Sequence, residues 1–428
     1  MADGTTNKGT LFWLAYPTTI TDITERDALI IILADIDDTE FEVAIPGLGF
    51  SVMGTVSPGT PALVTIPMAA EISSNELIEK KGIRVTATHP VTVIFSATSP
   101  PQTSNDAYLA LPVASLGTQL HMVMGYQEDL SVRGFDPEFA PSQVTIVGTE
   151  DDTNVTVIPS CVSLMGSPIG VPINFVLNEG EIWQYACGNL GDVTGTVITA
   201  NKPVTVIGGS RCSDVPPNTA ACDYLVEQLV SEVYWGTDYL IPPINNDTSN
   251  LIRILAGQDN TEVIIDDGTL PVVVNLDAGQ KFDQFYSVPV QITSNKPIYV
   301  GQYGAGLERT PINQNRDPFF VQIIPTNRFL KEFRFYSLSG YFLSFINIVA
   351  PTGTNVALDG VPVVGFSPMP GGTHIWNTLQ VDAGEHVVTA DQPAMVYVYG
   401  FRIRSGYGYP AGLLISPPRR PSRGLQLT

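Results

Sequence analysis

The sequence predicts an all-β protein built of tandem antiparallel β-sandwich-like repeats, four units in all. Two observations carry this expectation. Short runs of Val, Ile, Thr, Tyr and Phe are punctuated by 38 Gly and 34 Pro, a composition of strands and tight turns with little room for long helices. Two short phrases also return four times in the same order, at intervals of roughly 90 to 115 residues, a period far longer than that of a propeller blade. With 428 residues and 44% hydrophobic content, the chain can fill a core for several such units.

The first phrase is a strand, a turn and a second strand. It runs from Ile30 to Val43, from Val144 to Val157, from Ile254 to Ile265 and from Ile346 to Val356, with Thr39, Thr153, Thr261 and Thr354 opening the second strand. Alternation after each Thr has the period of two expected of a half-buried strand. The second phrase ends one strand in Thr and a small residue, adds two polar residues, and opens the next strand with Pro90, Pro203, Pro297 or Pro393. Proline has no N–H to donate and a fixed φ, so it suits a strand start or a bulge. Between the phrases stand the turns Asn178-Glu179-Gly180-Glu181, Asp277-Ala278-Gly279-Gln280 and Asp382-Ala383-Gly384-Glu385, with Ser57-Pro58-Gly59 in the first unit. The units are placed at 26–126, 140–243, 249–337 and 343–417, between an N-terminal segment 1–25 and a basic tail 418–428.

Forty-two acidic against 21 basic residues give a net charge of −21, a field that repels nucleic acid and anionic lipid. The one basic cluster, Arg419, Arg420 and Arg423, is a solvated tail or a dock for an acidic neighbour. The polar start Met1 to Gly9, followed by an apolar stretch that Pro17 ends early, predicts no signal-peptide core. No apolar run is long enough for a transmembrane helix.

All four cysteines, Cys161, Cys187, Cys212 and Cys222, fall in the second unit. Four thiols allow three pairings, and sequence alone selects none. The nine residues between Cys212 and Cys222, two of them Pro, suit a bridged loop and leave Cys161 for Cys187. A zinc site lacks its C-x-x-C spacing. Acidic turns recur at Asp35, Asp37 and Asp38, at Glu150, Asp151 and Asp152, at Asp259, and at Asp266 and Asp267. Turn chemistry explains them, and Asp151 and Asp152 stand as the Ca²⁺ candidates. His89, His121, His374 and His386 show no metal-ligand spacing, and no nucleophile elbow, phosphate loop or dinucleotide fingerprint is present. Tyr397, Tyr399, Phe401, Tyr407 and Tyr409 form either sheet packing or a candidate binding surface together with Arg419 and Arg420. Asn154-Val155-Thr156 and Asn246-Asp247-Thr248 are glycosylation sequons.

Gly9 to Pro17, with Phe12 and Trp13, then Asn201-Lys202-Pro203-Val204, and above all Cys212 with Cys222-Asp223-Tyr224-Leu225-Val226-Glu227-Gln228 leading to Trp235-Gly236, form a recognisable set. In these residues the chain resembles the IgGFc-binding protein N-terminal domain family. The resemblance implies interaction outside the cell, in mucus, adhesion or surface layers, with no enzymatic activity. The expectation is therefore a non-catalytic extracellular, cell-surface or particle-surface protein acting through protein contacts, with copies of itself as a homo-oligomer or polymer or with a surface partner. A viral or phage capsid or fibre component on a virion surface is one alternative, and a polysaccharide-acting enzyme or glycan-binding module is another. No cofactor is expected beyond the Ca²⁺ candidates.

Overall fold

The computed structural model describes residues 5–20, 28–97, 104–117, 120–127, 139–217, 219, 222–245, 249–306, 316–403 and 405–415. Within them the chain is all-β, its strands joined by turns and single 3-10 turns. The first unit holds β1 (Gly9–Leu14), β2 (Ala28–Ala34), β3 (Thr39–Ile45), β4 (Phe50–Val56), β5 (Ala62–Ile66), β7 (Ile83–Ser96) and β8 (Ala107–Leu109), and β6 (Ile78–Glu79) between β5 and β7 pairs into a sheet of the second unit. The second holds β9 (His121–Met122), β10 (Ser142–Gly148), β11 (Thr153–Ile158), β12 (Ile173–Leu177), β13 (Ile182–Ala186), β14 (Val197–Ala200), β15 (Val204–Ser213) and β16 (Asp223–Gln228). The third holds β17 (Gly236–Ile241), β18 (Asn250–Ala256), β19 (Thr261–Asp266), β20 (Val272–Leu276), β21 (Lys281–Tyr286), β22 (Val290–Tyr303) and β23 (Phe320–Gln322). The fourth holds β24 (Leu330–Ser337), β25 (Leu343–Pro351), β26 (Val356–Leu358), β27 (Val361–Pro362), β28 (Ser367–Pro368), β29 (His374–Val381), β30 (Gly384–Arg402) and β31 (Ser405–Pro410).

One long strand organises each unit. The first half of β7 pairs with β1 and β3, and its second half with β2 and β8. The same division holds for β22, which takes β17 and β19 and then β18 and β23. It holds again for β30, which takes β24 and β26 and then β25 and β31. In the second unit the strand is cut in two: β14 pairs with β9 and β11, and β15 with β10 and β16. Every pairing is antiparallel, so a single bent strand joins two sheets whose inner faces share a core.

The second sequence phrase marks the bend. Opposite β1, the register on the long strand jumps from Thr86 to Val91. Opposite β17 it jumps from Thr293 to Ile298, and opposite β24 from Thr389 to Ala394. Thr-small-polar-polar-Pro is thus the segment looped out of that ladder, where a residue without an N–H costs no hydrogen bond.

Both phrases then meet. Thr39, Thr153, Thr261 and Thr354 each donate their hydroxyl to the carbonyl three residues back, at 2.9, 2.6, 2.7 and 2.7 Å. The residue before each Thr, Asp38, Asp152, Asn260 or Gly353, has φ between 50 and 87°, the left-handed region that Asn, Asp and Gly tolerate. The next residue's N–H is accepted by the first polar side chain of the second phrase: Thr88, Asn201, Asn295 or Asp391, at 2.8 to 3.0 Å. Four short motifs with the same bonds in the same order define four equivalent corners.

Two sequence expectations need correction. The expected unit limits cut off the opening strands: β1, β17 and β24 lie ahead of residues 26, 249 and 343, and β9 ahead of 140, yet each pairs within the unit that follows. These strands lack both phrases and find their partners far along the chain, so local pattern does not assign them. Asp382-Ala383-Gly384-Glu385 is also not the counterpart of Asp277-Ala278-Gly279-Gln280. The latter turn joins β20 to β21, as Asn178 to Glu181 joins β12 to β13, whereas the former joins β29 to β30. The same turn chemistry serves two different connections.

The units close into a ring. The short closing strands β8, β16, β23 and β31 pack against one another in cyclic order, β31 returning to β8. Around them, the start of the long strand in one unit, or the turn just ahead of it, meets a turn of the next. Gly82 donates to the Gly180 carbonyl at 3.0 Å, Gly195 abuts Gly279, Gln291 abuts Gly371, and Glu385 accepts the Gly59 N–H at 3.2 Å. The last contact joins the fourth unit to the first. There Arg334 bridges Asp35 at 2.7 Å and also pairs with Glu385. A backbone bridge between Thr6 and Leu414, with Ile415 donating to the Thr5 carbonyl at 2.8 Å, completes the closure.

The corner hydroxyl is open to direct test. Thr153→Val keeps the shape and deletes the bond to the Glu150 carbonyl, and should lower unfolding free energy by about 1 kcal/mol in urea titration, with an unchanged far-ultraviolet spectrum.

Candidate functional site

At the ring centre the closing strands are stitched by carboxylates. Asp106 is completely buried, and its two oxygens accept four backbone N–H groups. Ala107 donates at 2.8 Å from its own unit, Val226 at 3.0 Å from the second, Phe320 at 3.0 Å from the third and Gly408 at 3.1 Å from the fourth. Asp223, beside the cysteine loop, accepts Asn105 N–H at 2.6 Å, Tyr224 N–H at 2.8 Å and Gly406 N–H at 2.8 Å. Glu227 accepts the Gln322 N–H at 3.1 Å, and Gln228 accepts the Leu111 N–H at 3.1 Å. Burial pushes the carboxyls of Asp106, Asp223 and Glu227 well above the usual carboxylate range, against N–H donors that favour the ionised form. With every such oxygen turned to the backbone and no solvent access, this cluster joins units and has no room for a substrate.

The family-motif residues fall in and around this centre. Phe12 and Trp13 are buried on β1, where the Trp13 carbonyl accepts the Thr205 hydroxyl at 2.8 Å across the seam between first and second units. Its ring covers Gly180, whose φ of 75° and lack of a Cβ admit the contact. Asn201 holds the corner described above, the Lys202 ammonium donates to the Asp151 carbonyl, and the Pro203 carbonyl accepts Thr149 at 2.6 Å. Trp235 donates its indole N–H to the Val230 carbonyl at 3.3 Å, and Gly236 lies where a Cβ would strike Pro325.

Disulfides join Cys161 to Cys187 and Cys212 to Cys222, both in the second unit. Asp151 accepts the Glu179 N–H at 3.1 Å, and Asp259 accepts the Ala278 N–H at 3.1 Å, so the acidic turns tie corner to corner. Among the described residues no group of three or more His, Cys, Asp and Glu could hold a metal ion, Asp151 and Asp152 included.

The aromatic end is a correction. Tyr397, Tyr399, Phe401, Tyr407 and Tyr409 are each at most 1% exposed and therefore offer no binding surface. Their hydroxyls are engaged inside: Tyr397 with the Pro242 carbonyl at 3.1 Å and Gln302 at 2.9 Å, Tyr399 with Asn347 at 3.2 Å, and Tyr409 with the Tyr336 carbonyl. β31 lies at the ring centre, so both of its faces are covered and alternation no longer separates inside from outside. Arg419, Arg420 and the second sequon lie outside the described residues.

Sequence reasoning missed Asp106 and Arg253. Arg253 interrupts the apolar run Leu251 to Leu255, a visible signal, and clamps the seam between second and third units. It bonds Asp283 with two nitrogens at 2.8 and 2.7 Å, Asp192 at 2.8 Å and the Gly125 carbonyl at 2.6 Å. Arg253 and Lys281 beside Asp192 outweigh its burial and hold that carboxyl well below its ordinary value.

Fold and centre define a class: a disulfide-bearing ring of four β-sandwich units whose buried acids are structural. The chain belongs to the IgGFc binding protein family, whose sequence profile matches residues 106–400. The human IgGFc-binding protein is 22% identical over 427 residues, covering 96% of this chain. The chain spans 7% of the length of that relative. Among solved structures, a chain described as a Ca²⁺-stabilized adhesin that helps an Antarctic bacterium reach out and bind ice aligns over 94% of this chain and 98% of its own. At 8% identity and a TM-score of 0.13 it adds nothing to the fold assignment.

Two measurements test the buried centre and its surroundings. Asp106→Ala strands N–H groups from four strands in a dry centre and should cost about 3–5 kcal/mol of stability by calorimetry. His121, on β9, is 1% exposed with both ring nitrogens unpartnered, and burial pulls it down to about 4. Its native pKa is depressed below the unfolded value, so its contribution is full above that unfolded value and drains away as pH falls toward the native one. Between about pH 7 and pH 5 the native protein should lose roughly 2 kcal/mol more than a His121→Leu variant.

Proposed function

We propose that this chain is a non-catalytic extracellular binding protein that acts through protein–protein contacts made at its rim. The observation that carries the reading is a set of four outer edge strands. β4, β12, β20 and β27 each end one sheet of a unit, with no strand on their far side among the described residues. They present apolar side chains to solvent: Met53 is 75% exposed, Val273 55% and Val361 67%, and Val176 is exposed on β12. Edge strands of this kind must be covered or used, and strand addition uses them. Family membership supports an extracellular setting, as do two disulfides, which persist in oxidising compartments. No helix among the described residues is long and apolar enough to cross a membrane. The buried acids Asp106, Asp223 and Glu227 are spent on backbone N–H groups, which supports a structural role for them.

Interferometry against immobilised IgG Fc fragments, mucin and a second copy of the chain tests the reading. Saturable retention on at least one is expected, weakened about tenfold by paired Met53→Lys and Val273→Lys changes that charge the edges. Failure to bind any of the three, or release of reducing sugar from a polysaccharide panel abolished by one carboxylate substitution, overturns it.

A further inference from the structure

We infer that the seam between the third and fourth units carries a binding site for a neutral sugar. A cleft of about 430 Å³ opens there, lined by Pro243, Ile244, Asn245 and Ser287 from the third unit and by Ser367, Trp376, Asn377 and Thr378 from the fourth. That volume lies in the range of small-molecule pockets, about 300 to 1,000 Å³. The lining combines one large aromatic ring with amides and hydroxyls, the mixture a sugar needs, since its C–H faces pack on an indole while its hydroxyls exchange hydrogen bonds.

Three polar side chains in the lining are unspent, while the indole N–H of Trp376 lies buried in the wall with no partner. The side chains of Asn245, Ser287 and Ser367 have no hydrogen-bond partner among the described residues. The groups behind them are fully committed and hold the wall still. Asn347 donates to the Pro243 carbonyl at 2.9 Å and to Tyr397 at 2.7 Å, while its oxygen accepts Thr378 at 2.6 Å and Tyr399 at 3.2 Å. Tyr399 in turn accepts the Asn245 N–H at 3.0 Å, fixing the strand exit that carries the free amide. Wall and floor therefore come from two units.

The ligand is neutral by the same chemistry. Among the described residues no Asp, Glu, Lys or Arg lines the cleft, in a chain whose net charge is −21. An anionic sugar would meet that field with no cation to receive it. The rim contacts proposed above use different residues, so the sugar site stands or falls independently of them.

Tryptophan fluorescence isolates the cleft. Of the four tryptophans, Trp13, Trp183 and Trp235 are at most 4% exposed, leaving Trp376 to report a ligand. Titration of the intact chain with galactose, mannose, N-acetylglucosamine and lactose should give a saturable change in emission for at least one, confirmed by calorimetry, with none for sialic acid. Asn245→Ala should weaken that affinity about tenfold, the loss of one good hydrogen bond to a bound ligand. Trp376→Phe should abolish the optical signal and weaken calorimetric binding. Ser287→Ala, a change that disturbs no existing bond, supplies a second affinity readout should Trp376→Phe misfold. Silence across the neutral panel overturns the inference. So does binding that Asn245→Ala and Ser287→Ala both leave unchanged, since the sugar would then sit elsewhere.

Discussion

The carboxylate of Asp106 accepts N–H groups from closing strands of all four units, its own among them. Short strands at a ring centre have few neighbours to satisfy their backbone, and an unmatched N–H in such a place costs about 1–3 kcal/mol. Water cannot reach them and a fifth strand has no room. A side chain with two acceptor oxygens and four lone-pair directions meets the need in the least volume. Asp223 and Glu227 repeat the device on either side, so the closing strands of all four units are joined through buried acceptors.

The seams show how a quasi-fourfold assembly is made from units whose sequences have drifted apart. The same pieces meet at each seam: the start of one unit's long strand, or the turn just ahead of it, lies against a turn of the next unit. The side chains differ. A tryptophan on a glycine fills the first seam, an arginine between two aspartates the second, tyrosine and asparagine amide bonds the third, and Arg334 between Asp35 and Glu385 the fourth. In a chain with twice as many acids as bases, placing Arg253, Lys281 and Arg334 at seams neutralises repulsion where the units touch.

Much of the fold was legible because its repeated parts have fixed local geometry. A Thr after a left-handed residue and a Pro after a bulge are recognisable wherever they occur, and both fell at equivalent corners. The opening strands were illegible because nothing local distinguishes Gly9–Leu14 or Leu330–Ser337 from any other strand, and their partners lie some 50 to 80 residues away, beyond the reach of periodicity. The tyrosines of β30 and β31 were open to misreading because alternation assumes one wet face, and these strands have none. Asp106 stood one residue ahead of an apolar run, where Asp is ordinarily a turn residue. Only the ring reveals that its turn faces three other units.

The pairing of Thr6 with Leu414 has a mechanical meaning. The two partners are antiparallel, with Thr5 and Ile415 bonded side by side. Tension drawn through both ends would load these bonds one after another, as a zipper is opened, and would not shear the long strands in parallel. The joint between the last unit and the first is thus the place where such tension would enter the ring.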